Sequence, residues 1–171
     1  NGAFGVGKTT VATQLHKEVK NSMIYDPEEV GFMLRNLIPL EVKRIEAKTG
    51  DFQDLELWKE LTVNVAEMIV SKYNFNLIIP MTIWKKEYFD YIYNGLKSID
   101  TDTYHFCLTA TKETIHERLK NRGEKDGGWC FDQTEKCLKS FEANNFEHYI
   151  NTENIKIPDI INYIKGRLNI N

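Results

Sequence analysis

Gly2-Ala3-Phe4-Gly5-Val6-Gly7-Lys8-Thr9 opens a chain of 171 residues, and the fold turns on how this stretch is read. Gly2, Gly7, Lys8 and Thr9 satisfy the pattern G-x-x-x-x-G-K-[ST]. Glycines at those places let the backbone wrap so that its N–H groups turn inward on an anion. A helix starting at the end of the loop adds partial positive charge at the same point. The sequence supplies one: Val11, Leu15 and Val19 recur every fourth residue, with Ala12 beside them. In this geometry Lys8 reaches the β- and γ-phosphates of ATP and the Thr9 hydroxyl ligates Mg²⁺. Ala3, Phe4, Gly5 and Val6 contribute backbone, and Thr10 stands where it touches the α-phosphate. The competing reading is a glycine-rich turn that only caps a helix.

A phosphate loop ordinarily follows a buried strand, so we expect a strand ahead of Asn1 that this sequence does not include. Downstream, Ser22 to Tyr25 reads as a short strand. A helix over 27–37 begins at Pro27 and is ended by Pro39. The polar stretch 41–54 reads as a loop or a short helix. Leu57, Leu61, Val65, Met68 and Ile69 mark a long helix, and Asn76 to Pro80 a strand covered on both faces. Helices around Tyr88–Ile99, Ile115–Leu119 and Leu138–Phe141 alternate with strands at Tyr104–Leu108 and His148–Ile150. A last helix starts at Pro158 and carries Ile161, Ile164 and Leu168, which we expect to pack on the sheet. This alternation predicts an α/β protein, a three-layer P-loop NTPase fold with a parallel sheet and helices on both faces. We read 1–171 as one kinase-like domain, with a lid-like segment around 118–135 that includes Gly123, Gly127 and Gly128.

A net charge of -3 and a pI near 5.9 give no basic footprint for nucleic acid. No apolar run approaches the roughly 18 residues of a membrane span. Cys107, Cys130 and Cys137 form no C-x-x-C pair and suit free thiols in a reducing cytoplasm, the expected location. The four histidines, His16, His105, His116 and His148, have no metal-ligand spacing.

The rest of the chain narrows the reaction. A guanine-reading N-K-x-D is missing, and the strand ending in Pro80-Met81-Thr82 lacks the acid of a Walker B motif, so a GTPase switch is excluded. Asp26, at the carboxyl end of a strand, is placed to take an acceptor's hydroxyl proton or to join Thr9 at Mg²⁺. It also suits an N-cap for the helix at Pro27, and the two roles are compatible. Phosphoryl transfer needs cations over the migrating charge. Arg118 and Arg122, one helical turn apart before the glycine-rich segment, fit a closing lid; a solvated helix end is the plainer alternative. Arg35 is a further candidate on the acceptor side.

Beyond the loop, Tyr25-Asp26-Pro27-Glu28, Asp51-Phe52-Gln53, Pro80-Met81-Thr82-Ile83, Lys112-Glu113-Thr114 and Thr152-Glu153-Asn154 occur in an order that resembles the ATP-binding tunicamycin-resistance proteins of bacteria. The resemblance spans nearly the whole chain. It implies a fold like that of small nucleotide and metabolite kinases, with a parallel sheet ordered 2-3-1-4-5. It also implies an acceptor pocket between the helix at Pro27, the loop around Phe52 and the strand end at Thr82. There Phe32, Phe52 and Trp58 would stack on a flat base and Thr82 would hydrogen-bond it, unless the aromatics are core. Three functions are open on this reading: a Mg²⁺-dependent kinase for a small-molecule hydroxyl, such as that of a tunicamycin-type nucleoside antibiotic; a protein that sequesters drug with ATP; or a metabolite kinase on the same scaffold. A C-terminal membrane association found in that family is not expected here.

Overall fold

The computed structural model describes residues 1–146 and 148–169. Thirteen elements follow in an alternating series: α1 (Lys8–Glu18), β1 (Ser22–Ile24), α2 (Pro27–Leu37), α3 (Leu40–Glu46), a 3₁₀ turn (Phe52–Asp54), α4 (Glu56–Tyr73), β2 (Asn76–Ile78), α5 (Lys86–Ile99), β3 (Cys107–Thr109), α6 (Lys112–Asn121), α7 (Trp129–Ala143), β4 (Tyr149–Asn151) and α8 (Ile157–Leu168). The α/β class expected from the sequence is therefore present. The starts of α2, α6 and α8 have a local cause. Asp26 caps α2, its carboxylate accepting from the Glu28 amide at 3.0 Å, and Pro27 fills the first helical position. Thr111 caps α6 through the Thr114 amide. Pro158 occupies the first turn of α8.

The strands are short and pair in parallel, β1 with β2 (Ser22 opposite Asn76) and β3 with β4 (Cys107 opposite Tyr149). Between the two pairs lies Asn1, whose backbone N donates to Phe106 O and whose carbonyl accepts from Leu108 N. Gly2 continues this as a parallel bridge to Leu108. The Asn1 side chain closes the other flank, exchanging hydrogen bonds with the Ile83 N–H and C=O, both at 2.9 Å. A cavity of about 680 Å³ separates β2 from β3, lined among others by Leu15, Ile78, Ile92, Phe106 and Leu108.

On α4 the buried face differs from the stripe expected. Trp58, Thr62 and Ala66 are buried, while Leu57 and Met68 are exposed. α4 lies against α5, where Val63 approaches Gly95 so tightly that a Cβ on Gly95 would meet it at 2.8 Å. Trp58 anchors this region, with its indole N–H donating to Pro27 O at 3.0 Å. Replacing a buried aromatic of this size by alanine costs about 3–5 kcal/mol. On α8, Ile160, Ile161 and Ile164 are buried, and the helix packs on α1 where packing on the sheet was expected. Among the described residues no helix is long and apolar enough to cross a membrane. Cys107, Cys130 and Cys137 are free, and burial pushes the Cys107 and Cys137 thiols up to about 11 and about 12.

Candidate nucleotide-binding site

The loop from Gly2 to Gly7 turns through three positive φ angles, at Gly2, Gly5 and Gly7. Gly7 is decisive, because it caps α1 in the left-handed region (φ 106°), where a side chain would be strained. The loop then runs into Lys8, Thr9 and Thr10, the first residues of α1, with both threonines exposed. The loop therefore leads directly into the N-terminus of α1, the arrangement the sequence pattern implies.

What holds the loop in this shape comes from far along the chain. The Thr152 hydroxyl bonds both the Val6 carbonyl (3.2 Å) and the Thr109 carbonyl (3.1 Å). Arg118 donates to Thr152 Oγ1 (2.9 Å), Thr152 O (3.0 Å) and Val6 O (3.4 Å). Glu153 accepts from the Thr111 amide and from the Thr111 and Thr114 hydroxyls, which hold its carboxyl down to about 2. The segments 112–114 and 152–154 therefore meet as one clamp behind the loop. Arg118 is bound into that clamp by three acceptors. Arg122, the C-cap of α6, is exposed and faces Lys8 closely enough to depress its pKa.

Lys8 is half-buried and folds its ammonium onto the Ala3 carbonyl at 2.9 Å, with the Phe4 ring beneath it. Burial lowers its pKa from 10.5 to about 8, and Arg122 adds to this, while Cys137, Glu28 and Asp26 oppose it. Those same groups identify the neighbourhood: Asp26 and Glu28 at the start of α2 stand within electrostatic reach of Lys8. Burial raises the Glu28 pKa, Asp26 raises it further, and Lys8 pulls it down. Glu28 is a site residue that sequence reasoning missed, although the acidic pair in Asp26-Pro27-Glu28 signals it. Trp129 is another, its ring 5.2 Å from Phe4 at the start of α7. The glycine-rich segment 123–128 turns directly into that helix.

The acceptor-side residues fall into one cluster with one exception. Phe32 and Phe52 meet edge-to-face at 5.7 Å, and the Arg35 guanidinium lies 5.8 and 5.2 Å from their centroids. Gly31 permits this contact, since a Cβ on it would stand 2.2 Å from the Phe52 ring. Trp58, in contrast, is core. Thr82 is buried, with its carbonyl accepting from Gln53 Nε2 at 2.8 Å and its hydroxyl without a partner among the described residues. An unpaired buried hydroxyl costs about 1–3 kcal/mol, so this one is poised for a ligand or water. Burial raises the Asp51 pKa, and its carboxylate accepts from the Gln53 amide. The histidines are structural: His105 packs on Phe89 and His116 on Phe131. No group of three or more His, Cys, Asp or Glu among the described residues could hold a metal by itself.

A family profile described as an AAA domain matches residues 1–145. The fold is similar to that of the Deinococcus radiodurans tunicamycin resistance protein, at 27% identity and TM-score 0.80, covering 100% of this chain and 94% of the other. It also matches a sugar kinase from Janibacter sp. HTCC2649 at 19% identity and TM-score 0.61, covering 99% and 91%, a likeness of fold alone. No curated protein matches the sequence. The resemblance drawn from the motifs is thus shared by the fold, which is that of a P-loop protein.

The depressed Lys8 pKa gives a stability test. Between pH 8 and 10.5 the unfolded chain still binds the Lys8 proton that the folded chain has lost, so stability rises with pH across that window. Lys8→Met is expected to stabilise the nucleotide-free protein by about 1–3 kcal/mol at pH 7 and to remove that rise, while abolishing nucleotide binding. Urea unfolding at pH 7 and pH 10 checks this; a variant less stable than the wild type at pH 7 contradicts it.

Proposed function

Because the chain belongs to the AAA domain family, we propose that it is an ATP-dependent kinase acting on a hydroxyl of a small molecule. Tunicamycin-type nucleoside antibiotics are the first acceptors to test, given the name of the Deinococcus structure it resembles. One observation carries this reading: Asp26, Glu28 and Arg122 all lie within electrostatic reach of Lys8 at the mouth of the loop. A donor phosphate, an acidic group and a mobile cation are the parts that phosphoryl transfer needs.

In this proposal the amides of Gly2 to Lys8 cradle the β- and γ-phosphates, with Lys8 as point charge and Thr10 near the α-phosphate. Thr9 and Asp26 would hold Mg²⁺, which neutralises phosphate charge when bound. The donor set suits it: these are oxygen ligands, and the closely set carboxylates of Asp26 and Glu28 favour a cation between them. Asp26 accepts the proton of the acceptor hydroxyl as its oxygen forms a bond to the γ-phosphorus. The bond from that phosphorus to the β–γ bridging oxygen breaks, and ADP leaves. Arg122 lies over the migrating charge, and Arg118 acts through the loop backbone that it holds. Phe32, Arg35 and Phe52 stack on a flat acceptor ring, and the unpaired Thr82 hydroxyl bonds its edge.

The same reading extends to the sheet. We take β1–β2 and β3–β4 as outer pairs of one parallel sheet, with a central strand running into Asn1 through the cavity between β2 and β3. That corresponds to the order 2-3-1-4-5 when the central strand is counted first. The apolar lining of the cavity and the pairing of Asn1 and Gly2 with β3 support it.

Incubation with MgATP, tunicamycin and a panel of hydroxylated small molecules is expected to release ADP and yield a phosphorylated product. Asp26→Asn should lower that rate about 10²–10⁴-fold with nucleotide binding retained. If no acceptor is phosphorylated and the drug still binds tightly, sequestration is the function instead. For the sheet, fusing about five Val- and Ile-rich residues ahead of Asn1 should raise the unfolding midpoint; an unchanged midpoint contradicts the central strand.

A further inference from the structure

Beside the aromatic cluster, α3 and the turn at residues 47–50 enclose a second recess of about 510 Å³. Its size is that of a small-molecule pocket. Arg35, Lys43, Arg44 and Lys48 all line it, and no carboxylate does. In a chain of net charge -3 this is a local reversal of sign. Phe52 and Leu55 contribute apolar lining surface.

The protein compensates this positive charge only in part. Arg44 and Lys48 are exposed and have no ion-pair partner among the described residues. Lys43 donates only to the Arg35 carbonyl, at 2.9 Å, a contact that neutralises nothing. Arg35 spends one N–H on the Gly50 carbonyl (3.2 Å) and lies 5.2 Å from the Phe52 centroid, which leaves further donors of its fork for a ligand. Asp51 is within electrostatic reach of Arg35, though its carboxylate accepts from the Gln53 amide; Glu46 accepts from the Glu56 amide, and Asp54 is paired with Lys85. Holding four cations around one concavity costs self-repulsion, which an anion relieves.

We propose that this recess binds the anionic end of the acceptor, a phosphate or similar oxyanion carried on a small molecule with a flat or apolar body. The inference rests on the kinase reading, because Arg35 and Phe52 belong both to the recess and to the cluster assigned to the acceptor. The body of such a molecule lies along Phe32 and Phe52, and its oxyanion meets Arg44 and Lys48. The recess is concave, which favours a small molecule over an anionic bilayer surface.

The test follows amide signals of Lys48 and Gly50 in ¹⁵N spectra with MgADP saturating the phosphate loop. Glycerol 3-phosphate and inorganic phosphate, at constant ionic strength, are expected to shift those signals saturably, and glycerol is not. Arg44→Gln with Lys48→Gln should weaken the phosphate response about tenfold or more, with retained MgADP binding reporting that the variant folds. Equal shifts from glycerol, no shifts at all, or binding only to phosphatidylglycerol vesicles would overturn the proposal. The outcomes separate from the kinase assay: phosphorylation of neutral acceptors with a silent recess removes only this inference. A responding recess without transfer to any acceptor removes only the kinase reading.

Discussion

The carbonyl of Val6 is the point on which the site depends. A backbone that turns its amides toward an anion must turn some carbonyls away, and these need partners of their own. Here Thr152 and Arg118 supply them, with Thr109 on β3 tied into the same knot. Glu153 then fixes the start of α6 through Thr111 and Thr114, so the helix that carries Arg118 is registered against the loop. The phosphate loop is therefore held by residues more than a hundred positions later in the chain. Contacts of this kind, supplied by the chain itself, reduce the ordering that binding must impose.

That preorganisation has an electrostatic counterpart. Lys8 is kept half-buried, near Arg122, in a place that lowers its pKa to about 8. Glu28 is raised by burial and by Asp26. Burial thus draws the lysine toward neutrality and the carboxyl toward protonation. Both lie where β1 leads into α2 and α1 begins, the end of an open α/β sheet at which ligands are placed.

Much of this was legible from local signals. The loop, α2 and α8 are announced by glycine and proline at positions where backbone geometry leaves few choices, and α2 falls on 27–37 as read. The motif segments around Thr114 and Thr152 were visible as a resemblance, yet their shared purpose was not, since a clamp between Thr114 and Glu153, 39 residues apart, leaves no periodicity. Arg118 illustrates this: its place in the helix suggested a lid, whereas its partners bind it to the loop backbone. On α4 the hydrophobic stripe pointed to Leu57 and Met68, whereas Trp58, Thr62 and Ala66 are the residues buried. Glu28 was hidden beside the more obvious Asp26. The basic recess was scattered through a polar stretch whose turn at Gly50 brings its charges together only in three dimensions.

If the loop binds nucleotide phosphates through its backbone and Lys8, calorimetric titration of MgADP into the protein and into Lys8→Ala reads it most directly. One site on the wild type and a loss of about a hundredfold in affinity for Lys8→Ala are expected. Undiminished affinity in the variant, or no binding to the wild type, would contradict it.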